Sequence, residues 1–186
     1  LSESSRKHFE SVIEYLEASD TAYELAPELL SRGTAWTETC FEVLGDERLG
    51  AWGSRYNELS RPFFKTPVPG VGAVIRITTD VRDTISPIKA AGSPRFVFVH
   101  IGDEAKRESM KMADTLRKAR IPLTQNIGIE SLTEQMRHAE TLNPPYLLIM
   151  GRKEALERSV ILRHRASYTE TFIPLDSLVE HLKTVA

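Results

Sequence analysis

The sequence predicts an α/β protein in two parts, and three observations carry that prediction. From Arg95 onward, short apolar strand patterns alternate with amphipathic helix patterns. The stretch SPIKAAGSP, Ser86 to Pro94, has two prolines, a glycine and small residues, the composition of a connector. Ahead of it stand one helical stripe and a few strand-like runs punctuated by turn residues.

In the first part, Phe9, Val12, Ile13 and Leu16 recur at i, i+3, i+4 and i+7, which marks one face of a helix. TAYELAPELL follows as an extended piece broken by Pro27. AWTETCFEVLG reads as a strand leading to a turn at GDERLG. Arg55 and Tyr56 then fall in a Gly/Ser turn. After the turn signals of FFKTPVPGVG, the β-branched run Val71 to Thr78 reads as a buried strand.

The second part is more regular. RFVFVHI, Arg95 to Ile101, is a buried strand. Gly102 and Asp103 supply the turn and cap of a helix with Ala105, Met112, Ala113 and Leu116 on one face. IPLTQ is a short strand. Ser131 and Glu134 fit a capping box, in which hydroxyl and carboxylate satisfy free N–H groups at a helix start. Leu132, Met136, Ala139 and Leu142 form that helix's stripe. YLLIM is a third strand, closed by Gly151. SVILRHR and TETFI pair as a hairpin, and Leu175, Leu178, Val179 and Leu182 mark a last helix. The order β-α-β-α-β-β-β-α predicts a mixed sheet with helices packed on it. The expected division is 1–86, a connector over 87–94, and 95–186.

Composition narrows the function classes. Hydrophobic residues are 41% and charged residues 27%, the mixture of a soluble protein. No apolar run approaches the roughly 20 residues of a membrane span, and the polar start LSESSRKHFE is not a signal peptide. The single cysteine, Cys40, excludes an internal disulfide and a Cys-rich metal site, and favours a reducing, cytoplasmic setting. Residues 1–93 carry 10 Lys and Arg against 14 Asp and Glu; residues 94–186 carry 14 against 12. The second part is mildly basic, which is compatible with a phosphate-backbone partner.

Chemistry-bearing motifs are scarce. His100, His138, His164 and His181 sit in different elements without metal-ligand spacing, so they read as surface or satisfied histidines and no metal is expected. Cys40 reads as a buried strand residue rather than a nucleophile. Gly70-Val71-Gly72 precedes a strand instead of opening a helix, so it reads as close backbone packing rather than a phosphate loop.

The residues resemble a known family. VFVHIGDEAKRESMKMADTLRKARIPL, SLTEQMRHAETLNPPYLLIMGRKEALERSVILR and FIPLDSLVEHL are similar to the C-terminal anticodon-binding domain of class II aminoacyl-tRNA synthetases, most closely the histidyl enzymes. In the first part, TETCFE matches the end of that family's R-G-L-D-Y-Y-T-x-T-x-F-E motif. WGSRYN is similar to its G-G-G-R-Y-D, and TPVPGVGAVIRITT stands where it has T-P-A-V-G-F-A-I-G-L-E-R. The resemblance implies a fold of two pieces. A fragment of the antiparallel-sheet catalytic fold precedes a domain with a mixed five-stranded sheet and three helices.

The departures carry as much meaning. Thr34-Ala35-Trp36 replace the Asp-Tyr-Tyr whose tyrosines line the histidine pocket, and Thr78-Thr79 stand where Glu-Arg belongs. Arg76 is three places out of register. Motifs 1 and 2 have no counterpart in this chain. The resemblance therefore implies a remnant pocket, at Arg32, Trp36, Arg55 and Tyr56, without confident catalytic residues. It implies tRNA as the partner, the histidine tRNA in particular, and allows a homodimer in the full-length protein. By composition, the candidate tRNA contacts are Arg117, Lys118 and Arg120, with Arg152 and Lys153. No cofactor is expected in this chain; ATP with magnesium enters if the full-length parent is an active synthetase. Two alternatives stay open: a piece of a divergent but active ATP-dependent histidine–tRNA ligase, and a non-catalytic regulatory or tRNA-sensing paralogue.

Overall fold

A computed structural model describes residues 2–29, 36–45, 49–77 and 94–185. The chain divides into two units. One groups Leu1–Glu14 with Ala22–Lys89, the other Tyr15–Thr21 with Ala90–Ala186. The expected connector, 87–94, lies outside the described residues apart from Pro94, as do Arg32, Thr78 and Thr79.

Helix α1 spans Glu3–Ala18, with its residues up to Glu14 in the first unit, and its predicted stripe of Phe9, Val12, Ile13 and Leu16 is half-buried. Strands β1 (Thr37–Leu44), β2 (Leu49–Arg55) and β3 (Val71–Ile77) form an antiparallel sheet in that order. Two expectations need correction here. Gly50 to Arg55 is a strand, not a turn: the small residues that suggested a turn allow close pairing instead. Gly53 is the clearest case, since a Cβ there would meet Gly72 O at 2.4 Å and the Phe41 ring at 2.5 Å. Strand β3 is exposed, not buried; Val71, Val74 and Ile75 are each more than half accessible. Among the described residues it pairs on one side only, with β2, so its apolar run is that of a sheet edge. Cys40 is half-buried rather than buried, its Sγ 3.8 Å from the Leu29 carbonyl oxygen.

The second unit is a five-stranded mixed sheet in the order β5-β4-β6-β7-β8. Strand β4 (Phe96–His100) is central and runs parallel to β5 (Leu123–Gln125) and β6 (Tyr146–Met150). Strands β7 (Ser159–His164) and β8 (Glu170–Pro174) add antiparallel, as the predicted hairpin. The larger core joins Phe96, Phe98, Leu148, Met150 and Val160 of the sheet to residues of the helices. Helix α2 (Asp103–Lys118) supplies Met112 and Leu116, and α5 (Leu178–Val185) supplies Leu178 and Leu182. A smaller core of Val97 and Leu147 packs on Ala139 of α3, Leu132–Leu142, with Met136 and Leu142 beside it. Alternation of side chains along β4 and β6 feeds these two cores.

Three local expectations change. A one-turn helix, α4 (Arg152–Leu156), follows β6 and is added to the three helices expected; its Glu154 carboxylate accepts the Gly151 N–H at 2.9 Å. Helix α3 starts at Ser131 without a side-chain cap, so the Ser131–Glu134 box does not form. Leu132 is largely exposed, and the inward position falls to Gln135. Gln135 is buried because its amide ties down the sheet: Nε2 donates to His100 O at 2.9 Å and Oε1 accepts the His100 N–H at 3.0 Å. At α2 it is Gly102, with φ of 88°, that caps the helix, and Asp103 is its first residue.

Candidate functional site

In the first unit, strand register places the residues of the expected remnant pocket. Trp52 and Ser54 are alternate residues of β2 and share a face, with Arg55 on the other. Tyr56 leaves the strand and lays its ring against Gly70 and Gly72, where an added Cβ would come within 2.6 and 2.9 Å of it. Its hydroxyl donates to Val71 O at 2.9 Å. The two glycines thus make room for this ring. Arg55 is held by Glu38, Nε to Oε2 at 3.1 Å, and Glu38 also lies 3.9 Å from His8. A groove of about 250 Å³ remains, lined by Trp36, Trp52, Ser54 and Tyr56 with Gly72, Ala73 and Val74 of β3. Trp36 and Tyr56 of the expected pocket line it; Arg55 does not, and among the described residues no charged side chain does.

In the second unit, the two predicted basic clusters are far apart. Arg117 and Lys118 end α2 and Arg120 follows it, whereas Arg152 and Lys153 open α4, beside the start of α2. The 16 residues of α2 separate them by about 24 Å. Most of these cations already have acidic neighbours. Asp114 binds Arg117 and lies 2.6 Å from Lys118, and these two cations hold its carboxyl below the usual range, Lys118 contributing most. Arg152 is 3.4 Å from Glu104, and Lys153 is 4.0 Å from Glu157.

A second constellation is not legible in the sequence. On the face of the sheet covered by α3, Leu147 of β6 pairs with Arg163 of β7, and Arg163 pairs with Glu170 of β8. The Arg163 Nε donates to Glu170 Oε1 at 2.7 Å. Helix α3 ends in a left-handed Asn143, whose side-chain oxygen accepts from the Arg165 guanidinium. Between helix and hairpin lies a pocket of about 110 Å³ with an apolar floor of Met136, Ala139, Pro144 and Leu147. Arg163, Arg165, Glu140 and Tyr168 form its rim. Tyr168 is 78% exposed and has φ of 55°, uncommon for a bulky residue. The hairpin turn thereby presents a bare ring next to two guanidinium groups. Sequence reasoning passes over this set because its members come from three elements. Only the clustering of arginines in SVILRHR hints at it.

His100 departs from the expectation of surface or satisfied histidines. It ends β4, is 2% exposed, and neither ring nitrogen has a hydrogen-bond partner among the described residues. Burial, reinforced by Lys106, lowers its pKa, against the smaller opposing influence of Glu130 and Asp103.

Comparison with known proteins bears on the same two units. Residues 95–185 match the family model described as "Anticodon binding domain". A histidine–tRNA ligase of Natranaerobius thermophilus is 28% identical over 186 residues, covering 96% of this chain and 44% of that protein. One from Corynebacterium jeikeium is 29% identical, covering 98% of this chain and 43% of its own length. The solved structure of apo S. aureus histidyl-tRNA synthetase aligns with a TM-score of 0.46 at 22% identity, over 98% of this chain and 50% of that one. The chain spans less than half the length of the curated relatives it matches.

Proposed function

Residues 95–185 form an anticodon-binding domain of the histidyl-tRNA synthetase family, and from that premise we propose that this chain binds tRNA through its second unit, the histidine tRNA in particular. The observation that carries the reading is the rim of Arg163, Arg165 and Tyr168 over an apolar floor between α3 and the β7–β8 hairpin. Sequence-specific RNA recognition targets unstacked loop bases, which stack on aromatic rings or guanidinium planes and hydrogen-bond along their edges. Tyr168 offers the ring, the arginines offer planes and donors, and Glu140 offers an acceptor. Phosphates flanking such a base would draw on the exposed cations, Arg117, Lys118 and Arg120 at one end of α2 and Arg152 and Lys153 at the other.

The first unit, on this reading, does not activate histidine by itself. A nucleoside triphosphate with magnesium needs cationic partners, and the groove of Trp36 and Trp52 has none among its described lining residues. ATP use and ligase activity belong to the full-length parent if it supplies the remaining motifs. Homodimerisation and a cytoplasmic setting are part of the same proposal. Among the described residues no helix is long and apolar enough to cross a membrane.

Filter binding of the 186-residue chain to a total tRNA pool at low salt, with sequencing of the retained RNA, tests the proposal. Enrichment of histidine tRNA is the expected result. Tyr168→Ala, which removes a stacking surface worth about 1–3 kcal/mol, should weaken binding roughly tenfold. Undetectable tRNA retention at low salt refutes the reading.

A further inference from the structure

A second bare ring lies on the hairpin that carries Tyr168. Phe172 of β8 is 62% exposed. Strand register fixes where it sits. Arg163 pairs with Glu170 and Ile161 with Phe172, so these four side chains fill two adjacent rows on one face of the hairpin. This is the α3 side of the sheet, because Arg163 also pairs with Leu147, which packs on Ala139 of α3. The intervening residues Val160, Leu162 and Ile173 point the other way, into the larger core. Phe172 thus adds nothing to the core that holds the hairpin, and α3, which covers Val97 and Leu147, leaves its ring uncovered. We infer that Phe172 is a second stacking position for RNA, and that an unstacked strand crosses the hairpin from Tyr168 over Arg163 to Phe172 with one base on each ring. This deepens the tRNA-binding reading and rests on it.

The arrangement, more than the exposure of one phenylalanine, carries the inference, since single exposed apolar residues are common. Open sheet faces bind single-stranded RNA by stacking bases on their aromatic side chains. Here Tyr168 shares the pocket rim with Arg163, and Phe172 stands one row beyond Arg163 on the same face. Glu170 holds the guanidinium between them, its Oε1 lying 2.7 Å from Nε and 2.5 Å from Nη2. That leaves a fixed plane and the Nη1 donors toward whatever crosses the hairpin. At about 3.3 Å per residue, four residues place Phe172 up to about 13 Å from Tyr168 along the chain. Bases stacked in a duplex strand are only about 3.4 Å apart, so the two rings suit separated bases of an opened strand rather than a continuous stack. The occupant is RNA rather than protein because Phe172 lies within residues 95–185, which match the anticodon-binding family, and because two arginines adjoin the ring row.

The test is filter binding of the full chain to the tRNA pool across a salt series, with Phe172→Ala, Phe172→Leu and Phe172→Tyr beside wild type. Phe172→Ala should weaken binding at least about fivefold, the loss of one stacked base. Phe172→Leu, which keeps apolar bulk without a ring, should weaken it as much, and Phe172→Tyr should bind like wild type. The slope of log K against log salt should stay that of wild type in all three, because a phenyl ring neutralises no phosphate. A hairpin distorted by the substitution would displace Arg163 and Arg165 and flatten that slope. If wild type retains no tRNA, this inference falls together with the tRNA-binding reading. If wild type retains it and Phe172→Ala binds equally well, the ring serves another surface, such as a protein contact, and only this inference is overturned. Rescue by leucine as complete as by tyrosine, or a flattened slope in Phe172→Leu, overturns it as well.

Discussion

Replacing His100 by leucine should stabilise the protein and remove part of its acid sensitivity. His100 is buried at the end of the central strand, and its imidazole makes no hydrogen bond among the described residues. Its backbone N–H and carbonyl are what bind Gln135, so His100→Leu leaves that tie in place. An unmet buried polar group costs about 1–3 kcal/mol, and an apolar residue of similar shape avoids that cost. For a domain of this size each kcal/mol raises the melting temperature by about 4–8 °C. Leucine should therefore raise it by at least about 4 °C at pH 8. The pH dependence has a definite sign. Burial lowers the folded-state pKa of His100 from its ordinary 6.5, so the unfolded chain takes up the proton first. The stability is fully present above about pH 6.5, declines as pH falls toward the folded-state pKa, and is level below it. Lys106 and Asp103 of α2 and Glu130 ahead of α3 face the ring; Lys106 adds to the shift, and the two carboxylates oppose it. The assay is thermal unfolding of the whole chain by far-ultraviolet circular dichroism from pH 8 to pH 5, wild type against His100→Leu. If the variant melts lower at pH 8, or its melting temperature falls as much as that of wild type on acidification, the reasoning fails.

Further outcomes are expected elsewhere. Residues 95–185 expressed alone should melt cooperatively, because both cores of the second unit are built from its own strands and helices; a non-cooperative transition would contradict the division. Leu182→Ala, at a fully buried position of α5, should cost about 2–5 kcal/mol in denaturant unfolding. Gly53→Ala should disrupt the first unit, since its Cβ meets a backbone oxygen that cannot move without breaking the β2–β3 ladder, and a red shift of tryptophan emission would register it. Arg163→Ala with Arg165→Ala should weaken tRNA binding and flatten the dependence of log K on log salt by about 0.7 for each phosphate that the protein no longer neutralises. The same changes at Arg6 and Lys7 of α1 should do neither.

The division of labour between sequence and tertiary structure runs along the range of the interactions. Local periodicity was enough for the strands of the second unit and for helices α2, α3 and α5. Each buries one stripe whose spacing is written along a few consecutive residues, as with Phe96 and Phe98 or Met112 and Leu116. Short motif strings were enough for the family of residues 95–185. Local pattern misled where context outweighed it. The apolar run of β3 reads as buried, yet whether a strand is central or at an edge depends on which strands pair with it. The Ser131–Glu134 spacing suits a capping box, but cap geometry is set by how the loop approaches the helix, and here no side-chain bond forms.

Sites were the least legible, for the same reason. Arg163, Arg165 and Tyr168 on one hairpin share a pocket with Met136 of α3, and Arg165 bonds Asn143, only because α3 packs over β6. The basic residues picked from sequence are near one another along the chain, and the fold gives most of them acidic neighbours. Trp36 and Trp52 sit 16 residues apart, with nothing in the sequence to join them. By itself the sequence determined the order of elements in the second unit apart from α4, most of its core stripes and the family resemblance, all of which rest on neighbours within a turn or a strand. Only the tertiary structure decided that the Ser54 hydroxyl and the His100 imidazole lie buried without a hydrogen-bond partner among the described residues. Burial and hydrogen-bond satisfaction depend on which distant segments exclude water from a given atom, and no local pattern encodes that.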